Sequence, residues 1–148
     1  MANNNPIFAY TETRIKTASQ GQLIIMLYNE AVKQLDHALE LLERNNSGKK
    51  HPNRIEGISR AILKTQEIVT ELMVSLDFEQ GGEIAKNLFS LYSWFNQELL
   101  AANINQDPQR LSSVRNMLND LRSAWSEIIA KNSMERVGHP SMGLNITG

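Results

Sequence analysis

An all-α fold, an antiparallel four-helix bundle with a short N-terminal arm and a mobile C-terminal tail, is what this sequence predicts, and three observations carry the prediction. Apolar residues recur at alternating steps of three and four through four separate segments, the spacing that lays one stripe along a helix. Proline stands at positions 6, 52, 108 and 140, and the only adjacent glycines are Gly81 and Gly82, so the breakers fall between the segments and not inside them. No stretch shows a convincing period-two strand pattern, and no internal repeat is visible.

Residues 1–18 form the arm, which precedes any periodic pattern. The first helix is expected over about 19–44: Ser19 and Gln22 have the spacing of a capping box, and Ile24, Tyr28, Ala31, Leu35, Ala38 and Leu42 make the stripe before the polar linker NNSGKKHP. The second, about 52–77, carries Ile55, Ile58, Ile62, Thr65, Val69, Leu72 and Leu76. Gly81-Gly82 separates it from the third, about 82–105, with Ile84, Leu88, Leu91, Phe95 and Ala102. Asp107 as N-cap and Pro108 at the first helical position open the fourth, about 108–133, with Leu111, Val114, Leu118, Leu121, Trp125 and Ile128. Residues 134–148, SMERVGHPSMGLNITG from Ser133 onward, lack periodicity and read as a flexible tail. Four helices of similar length with short connections pack most simply as an antiparallel bundle crossing at roughly 20°.

Composition narrows the function. With 148 residues, 41% hydrophobic and 21% charged, the chain supports one domain with a proper core. A formal net charge of −1 supplies no basic field for a phosphate backbone, so nucleic acid is not an expected partner. The absence of cysteine excludes disulfides, thiolate zinc sites and a cysteine nucleophile, and agrees with a reducing compartment. MANNNPIFAYTETR has no basic region followed by an apolar run, and no segment approaches the roughly 20 apolar residues of a membrane span. The expectation is a cytosolic protein with no membrane insertion.

Helical wheels then expose a surplus. The run Leu23-Ile24-Ile25-Met26-Leu27-Tyr28 is wider than one stripe, and Met26 points away from it, among Gln22, Asn29 and Lys33. Leu63 and Val74 fall on the outer side of the second helix, Phe89 and Leu100 on that of the third, whereas the outer side of the fourth is polar. Clustered apolar residues at the surface mark partner sites; scattered ones, or residues finishing a wide core, do not. Both readings stand on periodicity alone.

Catalytic chemistry finds no support. His37, His51 and His139 share no metal-ligand spacing, and no Glu-x-x-His pair is present for a di-metal site. Gly81-Gly82 lacks the rest of a phosphate-binding loop, and Asp77, Glu79 and Glu83 do not reproduce a calcium loop. No catalytic residue, metal or cofactor is expected, and the residues by themselves describe a helical binding or structural module.

The segment KTASQGQLIIMLYNEAV resembles the signature of the flagellin-specific export chaperone family, FliS, in which a tyrosine-bearing arm precedes a Thr-Ala-Ser segment and a Leu-x-x-Met-Leu-Tyr helix. LDFEQGGEIAKNLFSLY at 76–92, LLAANINQD at 99–107 and LRSAW at 121–125 fit in the same order. Together the patches reach from Ile7 to Trp125. Two positions depart: Gln20-Gly21 stands where the family commonly has proline, and Asn29-Glu30 where it has Asp-Gly. The first is expected to loosen the start of helix one, and neither touches the bundle stripe.

The resemblance implies a four-helix chaperone that covers the C-terminal segment of flagellin in the cytosol, keeps it unpolymerised and hands it to the flagellar type III export apparatus. It leaves open the contacts at the export gate and with regulators of flagellar gene expression. It also implies that the arm, through Ile7 and Tyr10, lies over part of the apolar surface of the bundle; the simpler reading of these two is a hydrophobic staple beside helix one. The expected partner surface is Ile7, Tyr10, Met26, Leu63, Val74, Phe89 and Leu100. A different class of function, a self-associating structural bundle that buries the same patch in a homodimer, remains the alternative; the expected state is a monomer or weak homodimer.

Overall fold

The computed structural model describes residues 20–138, with side chains through Lys131. The arm with Ile7 and Tyr10, the capping box at Ser19, His139 and the tail beyond Gly138 lie outside the described residues. Helix α1 is Gln20–Ser47, α2 is Pro52–Val74, α3 is Phe78–Asn105 and α4 is Pro108–Gly138, and no strand occurs among the described residues.

The helices pack as a ring: α1 lies against α2 and α4, and α3 against the same two. Side-chain pairs fix the directions. Arg115 reaches Asp36 and Arg122 reaches Asn29, so rising numbers on α1 meet falling numbers on α4. Asn103 with Ser59, and Gln66 with Asn96, set the same relation between α3 and α2; Arg110 with Glu98 sets it between α4 and α3. The bundle is therefore antiparallel, as the short connections require.

The core is continuous around all four helices. Tyr28, Leu35, Leu42, Ile58, Ile62, Leu72, Phe95, Leu99, Leu111 and Leu118 are almost fully excluded from solvent. Two polar residues share it without loss: Thr65 donates its hydroxyl hydrogen to the Ala61 carbonyl, and Asn45 accepts from the His51 N–H and so ties the α1–α2 connection to the bundle end. Gly21 lies where α1 meets α4, and a Cβ there would stand 2.8 Å from the Ile129 side chain. The Gln20-Gly21 departure is thus also the point of close approach between these helices.

The ends of the helices differ from the sequence expectations. Helix α2 stops at Val74, three residues before position 77. The Ser75 N–H still reaches the Glu71 carbonyl, the Ser75 hydroxyl binds the Leu72 carbonyl, and the chain then leaves the helix. Helix α3 begins at Phe78, ahead of the glycine pair, because the Asp77 carboxylate accepts from the Glu79 and Gln80 N–H groups. Gly82 then interrupts it, with φ 51° and ψ −123°. Helix α4 continues to Gly138, past the expected 133, since neither glycine nor proline occurs from Gln109 to Val137. Missing periodicity removes the reason to pack, but it does not stop a helix.

Three stripe positions are not core. Ile55, Ile84 and Ile128 are all exposed, Ile84 at 70%. Ile55 sits in the first turn of α2, and Ile84 and Ile128 sit toward the opposite end of the bundle, where the ring of helices opens. Ile24, Leu76, Leu88, Leu91, Leu121 and Trp125 are partly buried against the core, and Tyr92 and Leu99 complete the stripe of α3.

Candidate partner-binding surface

The surface residues of α3 face its two neighbours with different chemistry. Asn96 and Asn103 contact α2, and Phe89 and Leu100 lie seven and three residues before them on the same helical face. The register of the Ser59–Asn103 and Gln66–Asn96 pairs sets Leu63 opposite Leu100 and Val74 opposite Phe89. All four are exposed: Leu63 at 53%, Val74 at 78%, Phe89 at 42% and Leu100 at 54%. Two sequence-expected pairs thus flank one crease between α2 and α3.

The hydrogen bonds across that crease join neutral groups, while Glu67 and Glu71 of α2 stand beside Leu63, Gln66 and Thr70, and partial burial raises the Glu71 pKa. Gln66 donates to the Asn96 carbonyl, Asn96 to the Thr70 hydroxyl and Asn103 to the Ser59 hydroxyl. These three bonds carry no full charge, although the Asn96 Oδ1 is buried without a partner. The α1–α4 side is the opposite. Arg115 binds both oxygens of Asp36, Arg122 binds Asn29 and Asn119, and Lys33, His37 and Glu40 stand nearby in solvent. The hydrogen bond to Asp36 raises the Arg115 pKa further, and the guanidinium stays charged throughout.

Met26 does not join the crease. It is half-buried, not outward as its wheel angle suggests. A long unbranched side chain on a helix lies back over the preceding turn, so direction from the core does not measure cover. Ile7 and Tyr10 lie outside the described residues.

The second flank of α3 escaped the wheels. Glu98 turns toward α4, where Arg110 binds both of its oxygens at 3.0 Å. Trp94 lies four residues earlier on that face and is exposed at 38%, with its ring tilted against Phe95. Ile84 and Ile128 continue this side toward the open end, and Ile104 and Phe78 are further exposed apolar residues of the same helix. One signal in the sequence marks it: from Phe89 to Asn105 the only charged residue is Glu98. A helix apolar on most sides expects cover on most sides.

At the open end, between the start of α3 and the other helices, lies an apolar cavity of about 280 Å³. Ile24, Leu72, Leu76, Leu88, Tyr92 and Trp125 wall it, and Asp77, Gln80 and Gly81 close one side. Its floor is tied across the bundle by a hydrogen bond between the Tyr28 and Tyr92 hydroxyls. Burial pushes the Tyr28 phenol above its ordinary pKa against the opposing hydrogen bonds from Tyr92 and Trp125. Burial, then the neighbouring Tyr28, pushes Tyr92 up strongly. Both phenols are neutral over any physiological range, so they hold the cavity floor and supply no acid or base.

No group of His, Asp or Glu suited to a metal ion occurs among the described residues, and no described helix is long and apolar enough to cross a membrane. What the surface offers is shape and exposed apolar area.

Comparison with known proteins places this arrangement. The family model described as "Flagellar protein FliS" matches residues 3–132. The chain is 36% identical over 124 residues to the flagellar secretion chaperone FliS of Salmonella typhimurium, covering 84% of this chain and 87% of that protein. It is 30% identical over 138 residues to the flagellar secretion chaperone FliS of Bacillus subtilis, covering 93% and 96%. It is 32% identical over 117 residues to the flagellar secretion chaperone FliSB of Pseudomonas aeruginosa, covering 79% and 86%. A helical bundle with a continuous family match and relatives aligned over most of their length leaves one assignment: the chain belongs to the FliS family of flagellar secretion chaperones.

Proposed function

We propose that this protein is a cytosolic export chaperone that binds the C-terminal segment of flagellin, keeps it from polymerising and delivers it to the flagellar type III export apparatus. The observation that carries the reading is the stretch of α3 from Phe89 to Asn105, which has one charged residue and exposed apolar residues on both flanks. A client that is disordered when free and helical when assembled has apolar faces to cover; laying them along the α2–α3 flank buries them without desolvating an ion pair, whereas on the α3–α4 flank the Glu98–Arg110 pair stands beside Trp94. Coupled folding and binding of this kind buries roughly 1,000–3,000 Å² and loses about 2–5 kcal/mol to ordering. The complex is then tight enough to form and weak enough to be dismantled at export. Leu63, Val74, Phe89 and Leu100 supply the α2–α3 flank, and Trp94, Ile84 and Ile128 the α3–α4 flank. The role is binding, with no catalytic step.

The arm extends the proposal. Ile7 and Tyr10 cover part of this apolar surface while flagellin is absent and leave it when flagellin arrives. Co-expression with a flagellin C-terminal peptide tests both ideas. A 1:1 complex is the expected result; dimers that form without peptide, and bind none, support the self-associating bundle instead. Deletion of residues 1–18 should raise peptide affinity and apolar-dye binding by the free protein. No change in either removes the arm from the mechanism.

A further inference from the structure

The turn Phe78–Gly81 is built separately from the helix it starts. Asp77 caps it through the Glu79 and Gln80 N–H groups, and the Gly81 N–H donates to the Asp77 carbonyl at 2.7 Å. It closes on itself as a single turn. Upstream, Leu76 and Asp77 belong to neither helix. Downstream, Gly82 holds φ 51° and ψ −123°, a backbone open to glycine and strained for every other residue. A Cβ at Gly82 would meet nothing within 4 Å, so glycine serves the backbone there and not the available space. A self-capped turn thus lies between two joints.

Its two faces have different contacts. Asp77, Gln80 and Gly81 line the end cavity. Phe78 points the other way and meets Phe89 edge-on, with ring centroids 6.0 Å apart and planes at 60°. Phe78 is 47% exposed, and its ring partner on the outer side of the turn is Phe89.

We infer that Phe78–Gly81 is a lid on the end cavity, swinging as one closed turn about Gly82, with the Phe78–Phe89 contact as its latch. Hinges of this sort need only a few residues that absorb a large change in φ and ψ. Phe89 belongs both to the latch and to the α2–α3 crease. Any chain that packs on Phe89 competes with Phe78, releases the turn and widens the cavity at the bundle end. This coupling rests on the partner-binding reading; the lid does not, and it is testable in the free protein.

The cysteine-free chain accepts a single cysteine at Gln80, labelled with bimane, whose emission is quenched on contact with tryptophan. Gln80 and Trp125 both line the cavity, so Trp125→Phe in this labelled protein sets the unquenched level. Phe78→Ala and Gly82→Ala should each raise emission toward that level, with the circular-dichroism helix signal unchanged. Amide exchange completes the test: in Phe78→Ala the Gly81 N–H should keep its protection, since the turn moves intact. Emission that stays at the parent value in both variants overturns the lid. So does a rise accompanied by loss of Gly81 protection, which would mean that the turn frays. Should Phe78→Ala lose helix signal, Phe78→Leu, which keeps an apolar side chain without the ring contact, gives the same readout.

Discussion

Phe89→Glu and Leu100→Glu should each weaken binding of a flagellin C-terminal peptide by about 30-fold or more while the bundle stays folded. Leu100 is 54% exposed and glutamate is a good helix former, so Leu100→Glu should alter melting little; Phe89→Glu also loses the Phe78 ring contact and should cost about 1 kcal/mol without unfolding the bundle. Under a bound client the new carboxylate has to lose its water: Glu98 is itself an acid and already pairs with Arg110, and the one lysine of α3, Lys86, lies a turn from Phe89 and far from Leu100, so the loss should be larger for Leu100→Glu. Burying an unpaired charge costs several kcal/mol, and truncation of a central interface residue alone costs about 2 kcal/mol or more. Isothermal titration beside circular dichroism separates the outcomes. Unchanged affinity would show that the client lies elsewhere, and loss of helix would show that these positions support the core. Leu63→Glu belongs in the same series, because its register places it across the crease from Leu100.

Leu35→Ala carries the other large effect. Leu35 is fully excluded from solvent in the common core of the bundle. Removing its branched end leaves a void that close-packed neighbours cannot fill, and losses of about 2–5 kcal/mol follow from such truncations. Leu121→Ala looks equivalent by periodicity, yet Leu121 is only partly buried against the core, so it should cost clearly less. Urea unfolding should give a lower midpoint for Leu35→Ala with an unchanged slope. A Leu35→Ala loss no larger than that of Leu121→Ala would contradict the burial described for α1. Affinity for the client, measured well below the midpoint, should be unaffected by either substitution.

Much of the bundle is legible in the sequence because its helices are amphipathic over long runs, and their capping at Asp107-Pro108 is local chemistry. Periodicity places Leu35, Leu42, Ile62 and Phe95 correctly. It errs where burial depends on how far neighbouring helices extend. Ile84 and Ile128 obey the stripe, but they stand at the end of the bundle where the ring is open. The end of α2 and the start of α3 are misread for a related reason: a glycine pair attracts attention as the break, while the competing signal, an Asp77 that caps the turn ahead of it, is a single residue. Half of the candidate surface is readable, since Leu63, Val74, Phe89 and Leu100 point outward on any wheel. Trp94 escapes because a residue at the edge of a stripe can close the core or border a groove, and only the neighbouring helix decides. The end cavity escapes altogether, because the run from Leu72 to Tyr92 is closed over by Ile24 and Trp125 from distant parts of the sequence.

The sorting of polar groups by side also governs what a loaded complex looks like from outside. Once the flanks of α3 are covered, the surface left to water is dominated by the Asp36–Arg115 and Asn29–Arg122 side. Among the described residues, that side carries charged and amide groups in solvent. On the proposed function, a loaded particle would present this hydrated side to others of its kind, which opposes clumping as cargo accumulates.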